Sequence, residues 1–77
     1  MKIKILFFGQ LVDITGTKEL MIDKVADTDM VTKILHQQFP QLSQFKYLIA
    51  VDQEVISEKK NLEDNSIVAL LPPFSGG

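Results

Sequence analysis

The two most apolar short runs of this 77-residue chain lie at its opposite ends, and that placement limits the possible folds more than any other feature. Ile3-Lys4-Ile5-Leu6-Phe7-Phe8 alternates and then becomes apolar on both sides, while Ile67-Val68-Ala69-Leu70-Leu71 is apolar throughout. Short runs rich in β-branched and aliphatic residues, bounded by polar or proline-containing segments, read as buried strands. Strands this apolar belong near the centre of a sheet, so the two are expected to lie there, side by side. Between them the hydrophobic period changes once. Val31, Ile34, Leu35 and Phe39 recur at helical spacing, with Asp27 or Thr28 placed to cap the start and Pro40 to end it. A single amphipathic helix can cover one face of a sheet, which leaves the other face only partly protected.

The remaining segments complete that plan. Lys18 to Asp23 reads as a second strand, antiparallel to the first, after a connection from Gly9 to Thr17 that turns near Gly16. Tyr47 to Val51 and Glu54 to Ile56 read as a hairpin turning at Asp52-Gln53, since aspartate tolerates a left-handed backbone better than most residues. Glu58-Lys59-Lys60-Asn61 is a polar connection, Leu62 is expected to return to the core, and Asp64-Asn65-Ser66 turns the chain into its last strand. The order strand, strand, helix, short strands, final strand describes an α+β domain with a mixed sheet. Within the first strand Ile3, Ile5 and Phe7 share one side, and Lys2, Lys4, Leu6 and Phe8 the other. If the first set is core, Leu6 and Phe8 either form an exposed apolar patch or lie beneath loops.

Composition excludes several classes of function. A chain of 77 residues has room for one small domain and little room for a deep catalytic cleft. It has no cysteine, so it offers no thiol nucleophile, disulfide or thiolate metal site. His36 is the sole histidine and has neither a second histidine to share a metal nor a serine or cysteine at a recognisable spacing, so it reads as an edge or solvated residue. Gly9 and Gly16 are isolated and form no phosphate-binding loop. The net charge of −2 and the absence of an arginine argue against nucleic acid as a partner. With no apolar run of membrane-spanning length and no signal-like start, the chain is expected to be cytoplasmic.

The chemistry is expected at the end of the chain. Pro72-Pro73 removes two backbone donors and fixes φ, so the sheet cannot continue and the chain must leave it extended. From Pro72 to Gly77 an extended chain reaches roughly 20 Å, far enough to enter another protein's active site. Gly76 and Gly77 have no Cβ, so they can thread a narrow channel and present a terminal carbonyl carbon to attack. A glycine pair ends a chain by chance about once in 200 sequences. A merely frayed end therefore stands beside a functional one as a reading of these residues.

Ile5-Leu6-Phe7-Phe8-Gly9, the Thr15-Gly16 turn, Ala50-Val51-Asp52-Gln53 and above all Leu71-Pro72-Pro73-Phe74-Ser75-Gly76-Gly77 resemble the small, sulfur-carrying subunits of molybdopterin synthase, the MoaD family, over the whole chain. That family usually has asparagine where this chain has Asp52. The resemblance implies a β-grasp, ubiquitin-like fold over residues 1–72, with one main helix on one face of a mixed sheet and a flexible projecting tail over 73–77. It implies that an E1-like adenylyltransferase (MoeB-like), using ATP and magnesium, activates the carboxylate of Gly77, which follows Gly76, and that sulfur then replaces AMP to give a thiocarboxylate. The large synthase subunit (MoaE-like) would receive the tail, in an assembly of two copies of each subunit, and pass the sulfur to cyclic pyranopterin monophosphate to build the dithiolene. By matching position, Phe8, Val55 and Leu71 would contact that partner, with Pro72, Pro73, Phe74 and Ser75 leading to the glycines. No cofactor or metal would be held by the chain itself. Three other readings share the Gly-Gly end: a ThiS-like carrier for thiamin thiazole synthesis, a ubiquitin-like protein modifier, and a binding domain that is never activated. The double proline and the Phe-Phe-Gly opening favour the synthase subunit over the thiazole carrier.

Overall fold

The computed structural model of the chain describes residues 2–73. Its elements are β1 (Lys2–Phe7), α1 (Gln10–Thr15), β2 (Glu19–Asp23), α2 (Thr28–Gln38), a 3-10 turn (Pro40–Gln44), β3 (Leu48–Val51), β4 (Glu54–Ile56) and β5 (Ile67–Leu71). The strands form one five-stranded sheet in the order β2-β1-β5-β3-β4. As the sequence requires, the two apolar terminal strands are neighbours in the middle. They run parallel, with Ile5 opposite Val68 and Phe7 opposite Leu70, whereas β2 joins β1, and β3 joins both β4 and β5, in antiparallel fashion. This mixed sheet with one main helix is the β-grasp, ubiquitin-like arrangement.

The core lies on one side of the sheet. Ile3, Ile5 and Phe7 of β1 and Val68 and Leu70 of β5 are buried, and Val31 and Leu35 of α2 join them in one apolar cluster. Phe39, at the C-cap of α2, meets Phe7 edge to face with ring centroids 6.2 Å apart, a favoured geometry for aromatic pairs. Helix α2 starts where the Asp27 side chain accepts a hydrogen bond from the Met30 backbone N–H at 2.9 Å, satisfying one of the donors that a helix N-terminus leaves free. Thr28 is thus the first helical residue. Its buried hydroxyl accepts from the Lys60 N–H at 3.0 Å, its own N–H donates to the Lys60 carbonyl, and Leu62 N–H donates to the Ala26 carbonyl. These bonds draw the polar connection against the helix start and place Leu62 in the core, as expected.

Three buried apolar residues not expected in the core fall in segments read from the sequence as connections or left without an element. The stretch from Gly9 to Thr17 is not a plain connection: it forms α1, which buries Leu11 and ends at Gly16, left-handed at φ 76°, whose N–H donates to the Val12 carbonyl at 2.7 Å. The helix is too short for a hydrophobic period to show. The 3-10 turn after Pro40 buries Leu42, and Val25 is buried between β2 and α2.

The hairpin turn falls at Asp52-Gln53, with φ of 49° and 74°, a two-residue loop whose positive dihedrals match the twist of the strands it joins. Asp52 also ties the turn to the central strand. Its N–H donates to the Ile67 carbonyl at 2.8 Å, and its carboxylate accepts from the Ile67 N–H at 3.0 Å. Asn65 takes the left-handed conformation in the turn before β5, where its N–H donates to the Lys2 carbonyl.

Candidate functional site

Because strand residues alternate, the pairing that buries Ile3, Ile5 and Phe7 turns Lys4, Leu6 and then Phe8 to the opposite face. Register extends that face across the sheet. Leu6 is opposite Ala69, Lys4 opposite Ile67, Ala69 opposite Ala50, Ala50 opposite Val55, and Leu71 opposite Leu48. No helix covers it. Leu6, Phe8, Ala50, Val55, Ile67, Ala69 and Leu71, with Asp52 and Gln53 at one end, line a groove of about 500 Å³.

The question left open by the sequence therefore has an answer. Phe8 is 44 % exposed, Val55 55 % and Ile67 40 %, so the outer face is an apolar patch that no loop among the described residues covers. Leu6 is half-buried among these neighbours. A second depression of about 500 Å³, lined by Leu6, Phe8, Gly9, Val12, Lys18 and Glu19 among others, shares Leu6 and Phe8 with the first and carries the apolar surface toward α1. The rim is charged: Lys4 Nζ and Glu19 Oε2 are 3.6 Å apart, and both side chains are substantially exposed. A contiguous apolar surface with a polar rim is what protein interfaces present.

Of the residues singled out from the sequence, Phe8, Val55 and Leu71 come together on this one groove. Pro72 is half-buried directly after β5, and Pro73 is exposed. Phe74, Ser75, Gly76 and Gly77, all of the expected tail over 73–77 except Pro73, lie outside the described residues. Leu6, Ala50, Ile67 and Ala69 were not singled out as contact residues. Their signal was available in β5, where Ile67, Ala69 and Leu71 alternate with the buried Val68 and Leu70, but a strand apolar at every position does not say which side is covered.

Elsewhere the polar chemistry is structural. His36 Nε2 and the Tyr47 hydroxyl share a hydrogen bond at 2.7 Å, which makes His36 a packed edge residue of α2. Burial raises the Tyr47 pKa above its ordinary value of 10.0, and a hydrogen bond with Thr32 opposes part of that rise. Among the described residues, no group of three or more histidine, cysteine, aspartate or glutamate side chains is arranged to hold a metal ion. Among the same residues, no helix is long and apolar enough to cross a membrane.

Known proteins share this whole framework. A family model described as the ThiS family matches residues 5–77. The molybdopterin synthase sulfur carrier subunit of Caenorhabditis briggsae is 33 % identical, over 97 % of this chain and 96 % of that protein. A chain of the protein-protein complex of subunits 1 and 2 of the molybdopterin-converting factor from Helicobacter pylori is similar as well. All of this chain and all of that one superpose with a TM-score of 0.77 at 25 % identity. The crystal structure of SAMP1 from Haloferax volcanii superposes over the full length of both chains with a TM-score of 0.82 at 19 % identity, a likeness of fold.

Proposed function

The chain belongs to the ThiS family, and from that premise we propose that it is the sulfur carrier subunit of a molybdopterin synthase, docking through its uncovered sheet face and reacting through Gly77. The observation that carries this reading is the double duty of β5. Ile67, Ala69 and Leu71 form the middle of the open apolar groove, and the same strand passes directly into Pro72-Pro73. One rigid element thus sets both the surface that binds and the point from which the reactive residues depart. Preorganisation of that kind reduces the ordering cost of association.

The chemistry follows from the poor reactivity of a carboxylate, which has no leaving group. A Gly77 carboxylate oxygen attacks the α-phosphate of ATP on an E1-like enzyme, with magnesium at the phosphates, and pyrophosphate departs. The resulting acyl-adenylate has AMP as its leaving group. The terminal sulfur of a donor persulfide attacks the Gly77 carbonyl carbon and AMP leaves, giving an acyl disulfide; a second thiol then attacks the donor's sulfur, the donor departs as a disulfide, and the thiocarboxylate remains on Gly77. On the large synthase subunit that sulfur bonds to the pyranopterin precursor of the dithiolene, displacing an oxygen substituent there, and water takes its place on the Gly77 carbonyl and restores the carboxylate. The side chains that catalyse these steps belong to the partners. This chain supplies the apolar face that docks, the prolines that end the sheet, and two glycines slim enough to enter a channel.

The test is the intact mass of the protein after incubation with an E1-like enzyme, ATP, magnesium and a sulfur donor. A gain equal to replacing one oxygen by sulfur, mapped to Gly77, is the expected result; an unchanged mass with competent activating enzymes would contradict it. Adding the large subunit and the pyranopterin precursor should then return the mass to its starting value. Retention of the sulfur there would point to a different acceptor.

A further inference from the structure

Strands β1 and β5 are parallel, so they end at the same edge of the domain, and the residues that follow them are neighbours. Phe8 N–H donates to the Leu70 carbonyl at 3.2 Å, which carries the ladder one step past β1. Gly9 comes next on one side and Pro72 on the other. Gly9 has φ 59° and ψ −139°, a backbone conformation essentially reserved for glycine. There the chain turns away from the sheet into α1, whose first bonds run from Leu11 N–H to the Phe8 carbonyl and from Val12 N–H to the Gly9 carbonyl.

That turn leaves the Cβ side of Gly9 facing the proline ring. A methyl group built on Gly9 would lie 2.9 Å from Pro72 Cγ, 3.5 Å from Cδ and 3.7 Å from Cβ. A flexible side chain could swing clear of such a contact. A proline ring cannot, because it is closed onto its own backbone and only changes pucker. Relief would require Pro72 or the Gly9 turn to move by roughly half an ångström or more. Gly16 provides an internal contrast: its φ is 76°, but no atom lies within 4 Å of where its Cβ would be.

We propose that Gly9 is a positioning residue for the sulfur-bearing end, its bare backbone forming the seat for the Pro72 ring and so fixing the direction in which the chain leaves the sheet at Pro73. The inference rests on the carrier reading above. Sulfur transfer requires the thiocarboxylate to arrive in contact with the reacting carbon, and a misplacement of about 1 Å at such a site can cost about 100-fold in rate. Gly9 lies outside the main groove and only borders the adjoining depression, where it contributes no side chain, so the loss of aim should exceed any loss of affinity.

The experiment measures two quantities on thiocarboxylated protein with the large subunit and the pyranopterin precursor: the dissociation constant and the single-turnover rate of sulfur transfer. Gly9→Ala should slow transfer by about 100-fold while leaving the dissociation constant within about threefold. Gly16→Ala, which has backbone strain without a collision, should leave both near wild type. Pro72→Ala removes the two closest ring atoms; alone it should slow transfer at least tenfold, and the double variant Gly9→Ala/Pro72→Ala should lose clearly less than the product of the two single losses, since the collision is gone and only the backbone strain at position 9 is added. If Gly9→Ala does not fold, Pro72→Ala reads the same seat from the other side, and a wild-type rate for it would overturn the proposal. Losses that multiply in the double variant would also overturn it, as would wild-type transfer by Gly9→Ala. No transfer from the wild-type protein would instead remove the carrier reading on which the inference stands.

Discussion

Phe7 and Phe8 are both phenylalanines, one the last residue of β1 and the other the residue after it, and the molecule uses them in opposite ways. Phe7 is 2 % exposed, within the cluster under α2 and edge to face with Phe39, while Phe8 is 44 % exposed on a face that no helix covers. The contrast extends across the sheet to Leu70 and Leu71, one buried and one on the groove. A domain this small has one amphipathic helix to spend on a sheet with two apolar faces. The covered face holds the fold together, and the uncovered one remains available to another protein.

The largest effect should come from the covered side. Phe7→Ala is expected to destabilise the domain by about 3–5 kcal/mol, enough to unfold much of the population, whereas Phe8→Ala should cost about 0.5 kcal/mol or less. Urea denaturation of the two variants checks this, and equal losses would abolish the distinction between the faces. Binding should show the reverse order. Phe8→Asp is expected to weaken association with the large subunit by at least about 2 kcal/mol, roughly 30-fold, while the domain stays folded. Calorimetric titration together with circular dichroism would detect it, and an unfolded variant would place Phe8 in the core after all.

Two smaller effects sharpen the contrast. Asp27→Ala removes the cap of the covering helix and should lower stability by about 1 kcal/mol without changing affinity for the large subunit. The smallest concerns Tyr47, whose hydroxyl meets His36 of the same helix. Its pKa is raised in the folded state above the ordinary 10.0, so between the two values the native protein holds a proton that the unfolded chain has released. The associated stability is fully present below the unfolded pKa and is lost as pH rises through the folded one. Urea midpoints measured from about pH 9 to about pH 11 should fall less for Tyr47→Phe than for the wild type.

Much of this was legible in the sequence, for physical reasons. The central pairing of β1 with β5 followed from their being the two most apolar short runs, the position of α2 from a change of period and an aspartate cap, and the hairpin from Asp52. What the sequence hid was short or symmetric. Helix α1 has six residues, fewer than two turns, so Leu11 carries no periodic signature. Leu42 sits in a 3-10 turn that has no hydrophobic repeat at all. The open face was ambiguous because β5 is apolar on both sides. Only pairing to β1, whose lysines mark the outer side, assigns Ile67, Ala69 and Leu71 to the groove. The close approach of Gly9 to Pro72 could not be read from either residue, since it arises from the parallel alignment of strands some sixty residues apart in the chain.

The most direct test of the account is to record backbone amide resonances of the isotope-labelled protein while the large synthase subunit is added. The account predicts that perturbations concentrate at Leu6, Phe8, Val55, Ile67, Ala69 and Leu71 and at the residues after Pro73, with α2 unaffected. Perturbations centred on α2, or no binding at all, would contradict it.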